Sequence, residues 1–369
     1  SITVNALPTA TFANDDDGDD TVCAGTSVTF TAGGATNYQY YINGLSVQGP
    51  STSTTYVTSS LVDGDVVTVR GTDGSSCSAL SATSFTMTIE SAPAAPSITG
   101  VAPASPVCDP GVGTDITLTS SLAPNTGDYE WFRNGVSVGN NSQTLALDGA
   151  AASGSYTVRV SDGSNTNVCY SAQSAAEAIV INTQPSAGLV VTPSATSVCD
   201  GGTLTFTVGL SQTGVNYELF DGATSMSSSV GGNGGTITLT SNTFNTPSTV
   251  TIKVTATNAS SGCSVDLTDT ESITINEIPA LSSTLSPADI CSGDTFSYTG
   301  TSATAGATFA WSRAVVLGIS EAASSGVVAA ISETLTNTTT APINVTYAYV
   351  TTANGCSSAV EYVVVTVNP

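Results

Sequence analysis

The sequence predicts an all-β chain of four tandem β-sandwiches, and three observations carry that prediction. Two classes of cysteine recur in step about every ninety residues along the 369-residue chain. Short runs rich in Val, Thr, Ile and Tyr alternate apolar and polar residues, and tight-turn pairs separate them. No segment shows the 3.6-residue apolar period of a helix over a useful length.

The repeat comes first, because a fixed internal period decides the architecture. One cysteine precedes a strand-like run in each unit, at Cys23, Cys108, Cys199 and Cys291, in steps of 85, 91 and 92 residues. The other follows a later strand, at Cys77, Cys169, Cys263 and Cys356, in steps of 92, 94 and 93 residues. Each unit closes on an alternating strand: Phe85–Ile89, Ala178–Asn182, Ser272–Asn276 and Val363–Asn368. A proline follows each, at Pro93, Pro185, Pro279 and Pro369. The expected units are therefore 6–91, 92–183, 184–277 and 278–369. Residues 1–5 repeat the closing pattern with no unit in front, so they read as the last strand of a preceding one, and the chain as a window on a longer array. The alternative is a strand added to another subunit.

Within a unit the elements follow in a fixed order. Val28–Thr31 opens unit one, and Tyr38–Ile42 runs into the turn pair Asn43-Gly44. Unit two gives Tyr129–Arg133 with Asn134-Gly135, and unit three gives Tyr217–Phe220 with Asp221-Gly222. Such pairs favour the positive φ angles of a two-residue hairpin. A later strand recurs at Val66–Arg70, Tyr156–Val160, Val250–Val254 and Val345–Val350. About seven strands in about 90 residues predict a sandwich of immunoglobulin type.

Composition narrows the function. With 28 acidic and 5 basic residues the net charge is −23, and the chain lacks the basic stripe that nucleic acid requires. Histidine is absent, which removes histidine acid–base catalysis, histidine metal sites and Ser-His-Asp triads. Hydroxyls and carboxylates are abundant but have no base to activate them. The chain is expected not to be an enzyme. No run of apolar residues is long enough for a membrane-spanning helix, and eight cysteines fit an oxidising, extracellular compartment.

The segments Thr21–Ala32 and Leu61–Val69 resemble the Ig-like repeats of giant Bacteroidota cell-surface proteins, among them gliding-motility adhesins exported by type IX secretion. Unit four, through Leu335–Thr340 and Asn354-Gly355-Cys356-Ser357, resembles the PKD-like repeats of the same proteins. The resemblance implies an extended array of Ig-like or PKD-like sandwiches on a bacterial surface, acting as stalk, adhesin or fibre. Its partners would be neighbouring repeats of the same longer chain, copies assembled into filaments, or surface glycans.

Four sets of residues are candidate sites. Each unit owns two cysteines, which favours the intradomain pairs Cys23–Cys77, Cys108–Cys169, Cys199–Cys263 and Cys291–Cys356; loops of 54 to 65 residues would contribute about 4 kcal/mol each. A simple immunoglobulin topology, however, sets the two positions at opposite poles. The rival scheme joins neighbouring units through Cys23–Cys169, Cys108–Cys263 and Cys199–Cys356, leaving Cys77 and Cys291 to pair elsewhere. The acidic loop carrying Asp15, Asp17, Asp19 and Asp20, with Asp63 and Asp65 at the same pole, offers oxygen ligands to calcium, against the plain reading of a solvated acidic loop. Trp131 and Trp311 alternate in phase with core positions, so they are expected inside rather than on a glycan-stacking face. Tyr41, Phe132 and Phe220 fall on the opposite strand face, as a lateral contact stripe or under a following hairpin.

Overall fold

The computed structural model describes residues 2–16, 18–111, 113–121, 127–163 and 168–369. The described chain is all-β apart from one short 3-10 turn at Ala150–Ala152. It divides into two compact units, residues 1–183 and 184–369, each holding two sandwiches.

In the first sandwich of unit one, Thr11–Asn14, Val28–Gly33 and Thr55–Thr58 form one antiparallel sheet. Leu45–Ser51, Asn37–Ile42, Val66–Thr72 and Ser78–Leu80 form the other, with Phe85–Thr86 also on Val66–Thr72. Alternation in each strand turns Val28, Phe30, Tyr38, Tyr40, Val67 and Val69 into a shared core, as expected for two sheets packed face to face. Asn43 and Gly44 take φ angles of 50° and 77°, the left-handed pair that a twisted two-residue hairpin needs. The second sandwich repeats the plan. Ile98–Ala102, Ile116–Ser120 and Thr144–Leu147 face Val136–Ser137, Tyr129–Arg133, Gly154–Val160 and Glu177–Ile179, and Trp131 is fully buried between them.

Residues 184–369 hold the third sandwich, whose core includes Phe206, Tyr217, Leu219, Val254 and Ile273. The fourth is built around Phe296, Trp311, Tyr347, Tyr349 and Val365. In both, a long central strand, Ser248–Asn258 or Ile343–Ala353, spans the sandwich from end to end.

One feature common to all four sandwiches positions the cysteines. A short edge strand runs parallel to the end of the closing strand: Thr21–Cys23 on Thr88–Glu90, Val107–Asp109 on Ile181–Thr183, Ser197–Cys199 on Thr274–Asn276, and Ile290–Cys291 on Val367–Asn368. The first cysteine of every sandwich therefore lies at the pole where its closing strand ends. All four sandwiches hold a closing strand of their own. Residues 2–10 form no strand, and Ile2 and Val4 are exposed.

Candidate functional site

The second cysteine belongs to the opposite pole. In the third sandwich, Cys199 is level with Asn276 and next to Ser248, the start of the long strand. Cys263 meets the far end of that strand, where the Asn258 N–H donates to its carbonyl at 2.8 Å. Eleven residues at about 3.3 Å each place the two poles about 35 Å apart, whereas a disulfide needs Cα atoms within about 7 Å. The same span separates Cys291 from Cys356 along Ile343–Ala353. This distance overturns the intradomain pairs.

The bonds run between consecutive sandwiches instead. Cys23 of the first is bonded to Cys169 of the second, with Cα atoms 5.5 Å apart. Cys199 of the third is bonded to Cys356 of the fourth, at 5.6 Å. Cys108 and Cys263 are also disulfide-bonded, while Cys77 and Cys291 are free thiols. Polar contacts set the bonded cysteines in place. The Cys169 N–H points at the Asp162 carboxylate of its own sandwich, 3.3 Å away. Asn276 Nδ2 donates to the Asn354 carbonyl at 3.1 Å across the second joint. The Asn354-Gly355 pair, with φ angles of 49° and 80°, forms the tight turn that presents Cys356. Cys169 and Cys356 are each only 1% exposed, while their partners Cys23 and Cys199 are half-buried.

The acidic candidates are spread over separate hydrogen-bonding tasks. Asp15 Oδ1 accepts the Thr29 N–H at 2.7 Å, and that bond holds its carboxyl below the usual range against a small burial penalty. Asp19 and Asp20 accept from Thr21 N–H and Asn14 Nδ2, both at 2.9 Å. Asp63 accepts the Ile89 N–H at 3.1 Å. Asp65 is buried and takes Asn43 Nδ2 at 2.7 Å and Val62 N–H at 2.9 Å, which ties two turns together. Asp17 lies outside the described residues. Among the described residues, the carboxylates that do converge are elsewhere, at Asp109, Asp115 and Asp148.

The aromatic set also divides. Trp131 and Trp311 are buried, at 0% and 9% exposure, and Trp131 Nε1 donates to the Ser142 carbonyl at 2.8 Å. Neither offers an open stacking face. Phe132, read from the sequence either as part of a lateral stripe or as covered by a neighbouring strand, is 8% exposed; the Arg159 guanidinium lies over its ring at 5.3 Å and over Tyr170 at 4.0 Å. Arg159 is fixed in turn by Glu130 at 2.6 Å, and that partner holds the Glu130 carboxyl below its usual range. Tyr41 and Phe220 are half-buried. Arg70 stands over Tyr41 at 6.0 Å, and Phe220 is paired across strands with Lys253. Two of the five basic residues thus stand over aromatic rings, while the Lys253 ammonium is bonded to Asp266 at 2.6 Å.

No protein-family model matches the sequence, and no curated protein matches it. Solved structures of similar chain course are the N-terminal eight Ig domains of Down Syndrome Cell Adhesion Molecule, Sidekick-1 immunoglobulin domains 1–5 and the ICAM-5 D1–D4 ectodomain fragment. The first shares 11% identity over 98% of this chain and 49% of its own, with a TM-score of 0.33; the chain thus spans about half of that structure's length. The second shares 12% over 98% and 80%, TM-score 0.24, and the third 11% over 98% and 99%, TM-score 0.36. The fold itself rests on the strand order and core described above. Among the described residues no helix is long and apolar enough to cross a membrane, and the disulfides fit an extracellular setting. The chain is a tandem array of immunoglobulin-like β-sandwiches with covalent joints between neighbours.

Proposed function

We propose that the chain is a structural or adhesive segment of a secreted bacterial surface protein, built to resist extension. The observation that carries this reading is the pair of disulfides between consecutive sandwiches. A pull applied at the two ends follows the shortest covalent path. That path leaves the backbone at Cys23, rejoins it at Cys169, leaves again at Cys199 and rejoins at Cys356. The strands that build most of each core are then outside the line of tension. A low density of charged residues, 9%, and a Ser/Thr-rich surface suit a structural element, and the resemblance of Thr21–Ala32 and Leu61–Val69 to Bacteroidota surface repeats supports the bacterial setting.

In the same reading, Cys77 and Cys291 are half-sites of further joints of this kind. Cys77 holds the place that Cys169 and Cys356 hold in their sandwiches, and Cys291 holds the place of Cys23 and Cys199. Each would bond a complementary cysteine of another such sandwich, from a flanking repeat or a second copy. Two thiols then lose two protons and two electrons to an oxidised thiol–disulfide couple such as glutathione disulfide. Native material, alkylated and digested without reduction, tests this by peptide mass mapping. Cys77 and Cys291 recovered in disulfide-linked peptides with cysteines of the complementary class support the reading. A Cys77–Cys291 link identifies a second copy, and a link to another sequence identifies a flanking repeat. Recovery of both as alkylated thiols would refute the extended joint.

A further inference from the structure

We propose that the second sandwich carries a divalent-cation site of calcium type, formed by Asp109, Asp115 and Asp148. The three residues come from three strand ends at one pole. Asp109 ends the edge strand Val107–Asp109, Asp115 immediately precedes Ile116–Ser120, and Asp148 immediately follows Thr144–Leu147. The antiparallel pair Ile116–Leu147 sets Asp115 beside Asp148, and the Asp115 N–H donates to the Leu147 carbonyl at 2.8 Å. One carboxylate oxygen from each residue lies within 4.8 Å of the other two. Calcium binds oxygen at about 2.4 Å, so two ligands on opposite sides of the ion are about 4.8 Å apart. The spacing is that of a single coordination sphere.

A second observation concerns the burial of one oxygen. Asp115 is 6% exposed. Its Oδ2 accepts the Gly149 N–H at 2.7 Å, but its Oδ1 is buried without a hydrogen-bond partner. A buried carboxylate oxygen with no donor is costly, and two further carboxylates beside it raise that cost. A cation supplies the partner that Asp115 Oδ1 lacks and offsets the charge of all three carboxylates. Asp109 is held ready by the Gly111 and Ala150 N–H groups, at 2.6 and 3.2 Å. Arg133, at the end of the strand Tyr129–Arg133, is spent on the Ala151 and Ser153 carbonyls. Asp148 is exposed and opens the site to solvent.

The donor set selects the ion. Three carboxylates are hard oxygen ligands, which disfavours zinc and copper. Magnesium keeps several waters and binds through one or two carboxylates, whereas calcium takes three or more with irregular geometry. In the fourth sandwich, Asp294 also precedes its strand, but its carboxylate accepts the Cys291 N–H at 3.2 Å, and no such group of carboxylates forms there among the described residues. The convergence of Glu90, Asp162 and Cys169 is not a rival, because the Cys169 sulfur is committed to a disulfide.

Calcium chloride titrated calorimetrically into the full, chelator-treated chain tests the site, with thermal melting alongside. The wild type is expected to bind calcium saturably and to melt higher with calcium than with chelator. Asp148→Asn, an exposed change that leaves the fold intact, is expected to weaken binding at least tenfold while melting like the wild type in chelator. Asp115→Asn is expected to abolish binding and to melt no lower than the wild type in chelator, since it removes a buried charge one of whose oxygens has no donor. The double change Asp15→Asn with Asp20→Asn, in the other acidic loop, is expected to leave this binding in place. A wild type with no calcium-dependent heat or melting shift overturns the proposal. So does wild-type affinity in both Asp148→Asn and Asp115→Asn, or loss of binding only in the Asp15/Asp20 double variant.

Discussion

Stretching the chain from its two ends separates the serial joints from every intradomain arrangement. With Cys23–Cys169 and Cys199–Cys356 closed, the tensioned path holds residues 1–23, 169–199 and 356–369, about 70 residues. At a limit of about 3.5 Å per residue that path reaches about 240 Å. Intradomain bonds would leave about 130 residues under load, or about 450 Å, and a fully reduced chain of 369 residues reaches about 1,300 Å. Single-molecule force extension through handles at both ends, first oxidised and then with a reductant, measures these contours directly. The expected trace stops near 240 Å until reductant is added and then lengthens about fivefold. An oxidised contour near 450 Å, or four equal unfolding steps without reductant, would refute the serial path.

Three further outcomes follow from the cores. Arg313 is 2% exposed, and its Nε lies 2.9 Å from Glu333; Arg313→Ala strands that carboxylate and should cost about 3–5 kcal/mol in urea unfolding of the fourth sandwich, a loss under 1 kcal/mol contradicting it. Burial raises the Glu333 carboxyl, but hydrogen bonds from Tyr347 and Arg313 outweigh it and leave the pKa below the ordinary 4.5. The associated stability is present above pH 4.5 and should fade as the pH falls below it, visible as a drop in melting temperature that Glu333→Gln removes. Burial pushes the Tyr40 hydroxyl up to about 12 and those of Tyr347 and Tyr349 well above their ordinary 10. Stability should hold below pH 10 and decline as pH rises toward 12, followed by tyrosinate absorbance; titration of all three near 10 in the folded chain would contradict their burial.

Much of the fold was legible because it is local. Asn43-Gly44 and Asn134-Gly135 encode their own turns, and the alternation around Trp131 fixes which face is core. The cysteine pairing was not legible in the same way. Counting two cysteines per repeat suggests one bond per repeat, but which pole each occupies depends on the edge strand that pairs in parallel with the closing strand. That is a long-range register with no local signal beyond the cysteine's place before a strand. What covers Phe132 was not legible for a related reason. Its cover, Arg159, comes from the neighbouring strand, and alternation on one strand does not see it. The convergence of Asp109 and Asp115 with Asp148 was missed because the sequence drew attention to the dense run Asp15–Asp20. There the described carboxylates are absorbed by backbone and side-chain donors. The trio gathers only through the pairing of Ile116–Ser120 with Thr144–Leu147. The spacing from Asp109 to Asp115 was its one visible trace.

The most direct test of the serial joints is a single cut. A protease site placed in residues 277–281, between the third and fourth sandwiches, is cleaved and the product run on a gel without and with reductant. Bonding of Cys199 to Cys356 predicts that the cut chain migrates as one covalent molecule until it is reduced, and only then separates into two fragments. Two fragments already apart without reductant would contradict the account.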